Sequence, residues 1–113
     1  MSCLFCRIVA GEIPAKRVYE DERLIAFEDI NPQAPMHVLV VPRAHVDTLN
    51  DLNASHDGLV GAMVRQAAAL AQSRGYGPQG YRTVFNCNAD AGQTVFHIHL
   101  HVLGGRGFAW PPG

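Results

Sequence analysis

Residues 92–105 decide the fold: Gly92-Gln93-Thr94-Val95-Phe96-His97-Ile98-His99-Leu100-His101-Val102-Leu103-Gly104-Gly105. Histidine stands at every second position from 97 to 101, and Ile98, Leu100 and Val102 fill the gaps. Strand side chains alternate between faces. The spacing therefore predicts a β-strand with three imidazoles on one face and aliphatic side chains facing a core. On a helix the same residues would step round by about 100° each and share no face. Three readings fit the stretch by itself: a polar strand face without chemistry, a set of imidazoles chelating one ion, and a catalytic face. The flank favours the last. Gly92-Gln93-Thr94 combines pliable backbone with small hydrogen-bonding groups, and such a turn presents amides to an anion. Histidines beside it act as nucleophile and proton carriers.

Upstream, Tyr81–Asn86 reads as a fourth strand, and the short polar loop after it makes the last two strands antiparallel neighbours. Asn86 stands either at the mouth of a pocket or as a turn-forming residue; Cys87 is a small loop residue. Met36–Val41, stopped by Pro42, is a third strand whose near-continuous apolar character suits a central position. His37 opens it, as a structural histidine or as a fourth imidazole facing the same pocket. Val18–Glu20 and Leu24–Glu28 form a hairpin. The loop Asp29-Ile30-Asn31-Pro32-Gln33-Ala34-Pro35 is stiffened by two prolines. Asp29 suits two roles: acceptor for a ribose diol, or cap for local amides.

Residues 53–74 form the main helix, with Ser55 as N-cap and Asp57 in the first turn. Leu59, Val60, Met63, Val64, Ala67, Leu70 and Ala71 form its apolar stripe. Gly75, Gly77 and Pro78 stop it, and His56 is read as solvent-facing. Residues 3–10 form a short helix ended by Gly11, with Ile13-Pro14-Ala15 as a link. Cys3 and Cys6 make a Cys-x-x-Cys pair at the start of the chain, where a metal role is preferred to a redox one. Tetrahedral zinc needs two more ligands. His45, after Pro42, is a surface residue or a distant ligand.

The 113 residues are read as one domain over 1–113, with 104–113 an irregular tail in which Trp110 packs against something, a second subunit included. Nine Lys and Arg against ten Asp and Glu leave no basic surplus to hold a nucleic-acid backbone, whereas a mononucleotide remains compatible. No export signal or spanning segment is visible, so no membrane partner and a cytoplasmic location are expected. The three cysteines are expected to be reduced.

A neutral imidazole attacks phosphorus without losing a proton and forms a phosphorus–nitrogen bond that water later cleaves. No Walker loop or dinucleotide fingerprint is present. The acidic residues are too scattered for two-metal chemistry.

His97-Ile98-His99-Leu100-His101-Val102-Leu103 resembles the histidine-triad motif, three histidines alternating with hydrophobic residues. Phe27–His37, Gly92–Phe96 and Trp110-Pro111-Pro112-Gly113 extend the likeness over essentially the whole chain. The chain is similar to the histidine-triad (HIT) superfamily, and within it to the Hint branch of purine nucleoside phosphoramidases. That resemblance implies an α+β fold: a five-stranded, mostly antiparallel sheet with one main helix and a short N-terminal helix. It also implies a homodimer with a joint ten-stranded sheet.

The implied reaction is hydrolysis of nucleoside 5′-phosphoramidates and related adenylated amines or acyl-adenylates. His99 would be the nucleophile, giving a nucleotidyl-histidine that releases AMP or GMP. His101 would contact the phosphate, and His37 and His97 would support the imidazole network. Asp29 would hold the ribose. Phe5, Ile8, Phe27, Ile30 and Leu39 would line the base pocket. Asn86, Gly92, Gln93, Thr94 and Val95 would complete the nucleotide site. The tail near Trp110 would approach the partner's site. The resemblance further implies a structural zinc on Cys3, Cys6, His45 and His97, with no cofactor required for the chemistry. The alternatives are a dinucleoside polyphosphate hydrolase or nucleotidyl transferase of the same superfamily, and a nucleotide-binding regulatory scaffold.

Overall fold

The computed structural model describes residues 3–113. Met1 and Ser2, part of the N-terminal stretch read above for an export signal, lie outside the described residues. Helix α1 spans Leu4–Val9, β1 Arg17–Glu20, β2 Leu24–Glu28, β3 Met36–Pro42, α2 Asp57–Ser73, β4 Tyr81–Val84 and β5 Leu100–Gly104. The strands form one antiparallel sheet in the order β1-β2-β3-β5-β4.

Strand β3 is central and buried at every position. Met36, Val38 and Val40 join Leu24, Ala26, Leu100 and Val102 in a core under α2. Leu39 and Val41 join Ile25 and Phe27 on the opposite face, where Phe5 and Ile8 of α1 cover them. A strand buried on both faces loses its polar alternation, which is why this one reads as an almost unbroken apolar run. The sheet thus separates two jobs. One face builds stability against α2, and the other carries α1 and the histidines.

Helix α2 packs through Ala62, Met63, Ala67, Leu70 and Ala71. Its stripe is narrower than expected: Val60 is half-buried and Val64 exposed, while Ala62 turns inward. The start of the helix also differs. A 3-10 turn over Ala54–His56, capped by Asn53, precedes it, and α2 itself follows from His56 with no side-chain cap, so Ser55 is not its N-cap. Asn53 Oδ1 accepts from the Ser55 amide at 2.9 Å and from the Ser55 hydroxyl at 2.6 Å. Asn and Ser cap about equally well, so the extra turn sets the boundary. His56 is half-buried, and its Nδ1 accepts the Asn53 amide at 3.0 Å in an exposed bond.

The histidine stretch is strand only from Leu100 onward, because its partners run out. Pairing with β3 ends at Val40 opposite Leu100, and pairing with β4 ends at Val84 opposite His101. For the same reason β4 stops short of Asn86. Residues 97–99 are held instead by the Ile98 amide, which donates to the Val46 carbonyl at 2.8 Å. The alternation survives this: Ile98 joins the core under α2, while His97 and His99 meet Phe5 on the other face. In the tail, Trp110 is 82 % exposed in the single chain. Among the described residues no helix is long and apolar enough to cross a membrane.

Candidate active site and metal centre

On the α1 face lies a cavity of about 660 Å³. Phe5, Ile8, Phe27, Leu39 and Val95 give it an apolar end, and Asp29, Asn86, Thr94, His99 and His101 give it a polar one. Phe5 stands edge-on to both Phe27 and His99, with centroids 5.5 and 5.0 Å away. The first turn of α1 therefore shapes the apolar end and also fixes the plane of the middle imidazole.

The hydrogen bonds assign the imidazole tautomers. His99 Nδ1 lies 2.8 Å from the His97 carbonyl, so it carries the proton and donates it. Nε2 is then the basic nitrogen. No buried side-chain nitrogen or oxygen among the described residues lacks a partner, so this Nε2, bonded to no protein group, faces the cavity. Burial pushes the His99 pKa below the ordinary histidine value, and the bond to the His97 carbonyl only partly opposes this. At neutral pH the ring is an uncharged base with its lone pair directed into the cavity.

His101 is set in the opposite sense. The Gln33 amide donates to His37 Nδ1 at 3.0 Å, so His37 carries its proton on Nε2. That proton goes to His101 Nδ1 at 2.9 Å, which leaves His101 protonated on Nε2. One ring thus offers the cavity a lone pair and its neighbour offers an N–H. Burial, then His99 and His37, lower the His101 pKa to about 4. Asp29 is shared between two roles. Its Oδ1 accepts the Asn31 amide at 2.8 Å, and its Oδ2 lies 3.4 Å from His37 Nε2.

A second cluster lies behind the cavity. Cys3, Cys6, His45 and His97 each offer one ligand atom, all within 4.8 Å of one another. His97 Nδ1 is 3.4 Å from Cys3 Sγ, 3.5 Å from Cys6 Sγ and 3.2 Å from His45 Nδ1. Tetrahedral zinc with Zn–N and Zn–S bonds of ordinary length needs ligand separations of about 3.3–3.8 Å. The outer ring nitrogens agree: His97 Nε2 donates to the Pro42 carbonyl at 2.7 Å, and His45 Nε2 donates to Asp47. Each inner Nδ1 is therefore a lone pair aimed at the cluster, as in metal-ligating histidines whose other ring nitrogen donates to a carbonyl or carboxylate. Burial and the Cys3 thiol push the Cys6 pKa up, an effect that a cation would reverse. Asp29, His37 and His101 also stand close enough to share an ion. There the fit fails, because His37 Nε2 already holds the proton that an ion would have to displace.

Of the expected nucleotide-site residues, Phe5, Ile8, Phe27, Asp29, Ile30, Leu39, Asn86, Gly92, Thr94, Val95, His99 and His101 all line the cavity. Gln93 does not. It is buried behind the loop, where its Nε2 donates to the Asp47 and Val95 carbonyls and its Oε1 accepts the Asn88 amide. His97 also lies outside the cavity lining, fully buried against the cysteines. Glu28 lines the cavity, but its carboxylate is engaged by Arg74 at 2.6 Å. The link Ile13-Pro14-Ala15, together with Lys16, forms a further wall. The apolar Ile13-Pro14-Ala15 run was its only signal.

Residues 2–107 match the family model described as scavenger mRNA decapping enzyme C-term binding. The purine nucleoside phosphoramidase of Escherichia coli K12 is 45% identical over 103 residues, covering 91% of this chain and 87% of that protein. The chain belongs to the histidine-triad family. A HIT family hydrolase from Legionella pneumophila Philadelphia 1 superposes with a TM-score of 0.97 at 52% identity, covering 99% of this chain and 100% of that one. A zinc-bound histidine triad family protein from Mycobacterium smegmatis superposes with a TM-score of 0.81 at 40% identity, covering 94% and 76%. The histidine-triad fold expected from the motif is the fold observed.

Proposed function

We propose that this protein hydrolyses purine nucleoside 5′-phosphoramidates and related nucleotidyl conjugates through a covalent intermediate on His99. The observation that carries the reading is the tautomer of His99: its Nδ1 proton is committed to the His97 carbonyl, which leaves Nε2 basic at the cavity. The phosphoramidase from Escherichia coli supports the substrate class.

The base enters between Phe5, Ile8, Phe27 and Leu39, and Asp29 accepts from the ribose hydroxyls. The Nε2 lone pair of His99 attacks the α-phosphorus, and the phosphorus–nitrogen bond to the leaving amine breaks with its electron pair on nitrogen. His101 donates its Nε2–H to a non-bridging oxygen as charge develops there. With a pKa near 4 its protonated form is scarcely populated at neutral pH, so the departing nitrogen takes its proton from solvent. Water then attacks phosphorus and gives up a proton to solvent, the phosphorus–Nε2 bond breaks with its electron pair on Nε2, and AMP or GMP leaves neutral His99. Asn86, Thr94 and the Gly92 backbone lie where the phosphate or the leaving group is held.

A zinc ion fits Cys3, Cys6, His45 and His97, and when bound it supplies a structural cross-link between α1 and the sheet. It takes no part in the reaction. The protein acts as a homodimer in the cytoplasm, and exposed Trp110 lies in the tail that approaches the partner's site. The whole chain, 1–113, works as one domain.

Rapid quench with a labelled adenosine phosphoramidate tests the mechanism. The wild type is expected to trap a nucleotidyl-protein adduct and the His99→Ala variant none. Undiminished turnover by that variant would remove the mechanism. Comparison with a diadenosine polyphosphate separates this activity from polyphosphate hydrolysis.

A further inference from the structure

A chain of hydrogen bonds links His101 to the tail. His101 Nδ1 accepts from His37 Nε2–H at 2.9 Å because His37 Nδ1 is occupied by the Gln33 amide at 3.0 Å. Gln33 belongs to the irregular loop 29–35, which has no strand ladder to hold it. Its own carbonyl is held by the tail: Arg106 Nε donates to Gln33 oxygen at 2.9 Å. The two polar groups of one backbone residue thus point to opposite ends of a chain of bonds, Arg106 at one end and the His37–His101 pair at the other.

Arg106 is itself fixed. Its guanidinium carbon lies 4.2 Å from the Phe108 ring centroid, with Arg82 of β4 at 5.2 Å from the same ring. Its Nη1 also donates to the Gly107 carbonyl at 2.9 Å. An independent feature locks the same two segments together. Gly105 has φ +95°, and a Cβ there would stand 2.8 Å from Pro35 Cβ. Only glycine at position 105 lets the tail cross this close to the loop.

We infer that Arg106 is a positioning residue: residues 104–108 strap the 29–35 loop so that the Gln33 amide fixes the tautomer of His37 and, through it, the Nε2–H donor of His101. The inference rests on the proposed function for its kinetic consequence but not for its structural one. Without the Arg106 bond the Gln33–Ala34 peptide loses its anchor, and the adjoining Pro32–Gln33 amide is then held only from within the loop, where the Gln33 side chain donates to the Asn31 carbonyl at 3.0 Å. His37 then samples the Nδ1–H tautomer as well, which offers His101 no donor and lets its proton move to Nδ1. The stabilisation of a developing charge falls, whereas Phe5, Ile8, Phe27 and Leu39, which bind the base from outside the loop, are untouched.

The test uses histidine-labelled full-length protein, with long-range proton–nitrogen spectra of the imidazoles recorded beside turnover of adenosine phosphoramidate. Wild type is expected to show His37 and His101 as single Nε2–H tautomers. In Arg106→Ala the His37 nitrogens move to averaged shifts, kcat falls about tenfold, the worth of one hydrogen bond to a charged group, and KM changes by less than about twofold. Arg106→Lys, which keeps one donor to the Gln33 carbonyl, restores most of both signals. A single unchanged His37 tautomer in Arg106→Ala overturns the inference, whatever happens to kcat. A mixed tautomer with unchanged kcat removes the catalytic role. If wild type does not turn the substrate over, the proposed function fails and the spectra alone decide the strap.

Discussion

The imidazole of His99 gives its Nδ1 proton to the main-chain carbonyl of His97 at 2.8 Å. The first triad residue therefore acts on the second through its backbone, while its own ring faces away, into the cluster with Cys3, Cys6 and His45.

That division predicts different fates for two alanine substitutions. His97→Ala keeps the carbonyl and hence the tautomer of His99. It removes a fully buried ring bonded to the Pro42 carbonyl, and is expected to cost about 2–5 kcal/mol of stability while folded protein still turns over. His99→Ala, whose ring borders the cavity, is expected to cost less stability than His97→Ala and to cut kcat by about a thousandfold or more, as for other lost nucleophiles. Urea titration and steady-state kinetics on both variants check this. Comparable kcat values in the two would contradict it.

A pH dependence follows from His101. Its folded pKa is lowered to about 4 from 6.5 by burial and by the neighbouring histidines. Between those values the unfolded chain binds the proton and the folded chain does not, so stability rises with pH across the interval and is lost as pH falls from 6.5 through 4. His97 and His99 are shifted the same way. The urea midpoint is expected to be lower at pH 4.5 than at pH 7, with a smaller difference in His101→Asn. Equal midpoints for the wild type at the two pH values would rule out a buried neutral triad.

The period of two in residues 97–101 was enough to place the histidines on one face and Ile98, Leu100 and Val102 in the core, because alternation is a property of the backbone and survives the loss of ladder pairing at residues 97–99. The central place of β3 was equally legible from its apolar run. Other features depend on contacts that no side-chain pattern records. Gln93 reads as a phosphate ligand until its amide is seen to be spent on Asp47 and Val95. The split between His97 and its two neighbours comes from β3 and α1 packing on one side of residue 97. Arg106 acts on a backbone carbonyl, to which any residue type at position 33 contributes alike.

The candidate metal centre on Cys3, Cys6, His45 and His97 predicts a stability effect separable from catalysis. Cys3 is also the N-cap of α1, accepting the Cys6 amide at 3.4 Å, so serine at position 3 preserves the cap and loses the soft ligand. Cys3→Ser is expected to lower zinc content and to cost about 2 kcal/mol, on the order of 10 °C in Tm for a domain of this size. Strong chelation of the wild type is expected to do the same. Elemental analysis beside calorimetry gives both readings, and an unchanged Tm in a protein shown to have lost its zinc would mean that the ion does not brace α1.

The division of labour at Asp29 can be tested by a substitution that spares half of it. One carboxylate oxygen accepts the Asn31 amide at 2.8 Å and shapes the loop; the other lies near His37 and lines the cavity. In Asp29→Asn the amide oxygen still caps Asn31, but the second position becomes a donor and the charge is gone. The loop is expected to hold. Binding of AMP is expected to weaken by about 10- to 100-fold, since a hydrogen bond to a charged group is worth about 1.5–3 kcal/mol. Binding of 2′,3′-dideoxy-AMP, which has no ribose hydroxyl to offer, is expected to be nearly equal in wild type and variant. Titration calorimetry with both nucleotides decides it: equal losses for the two would assign the effect to charge or loop geometry, and Asp29 would not be the ribose acceptor.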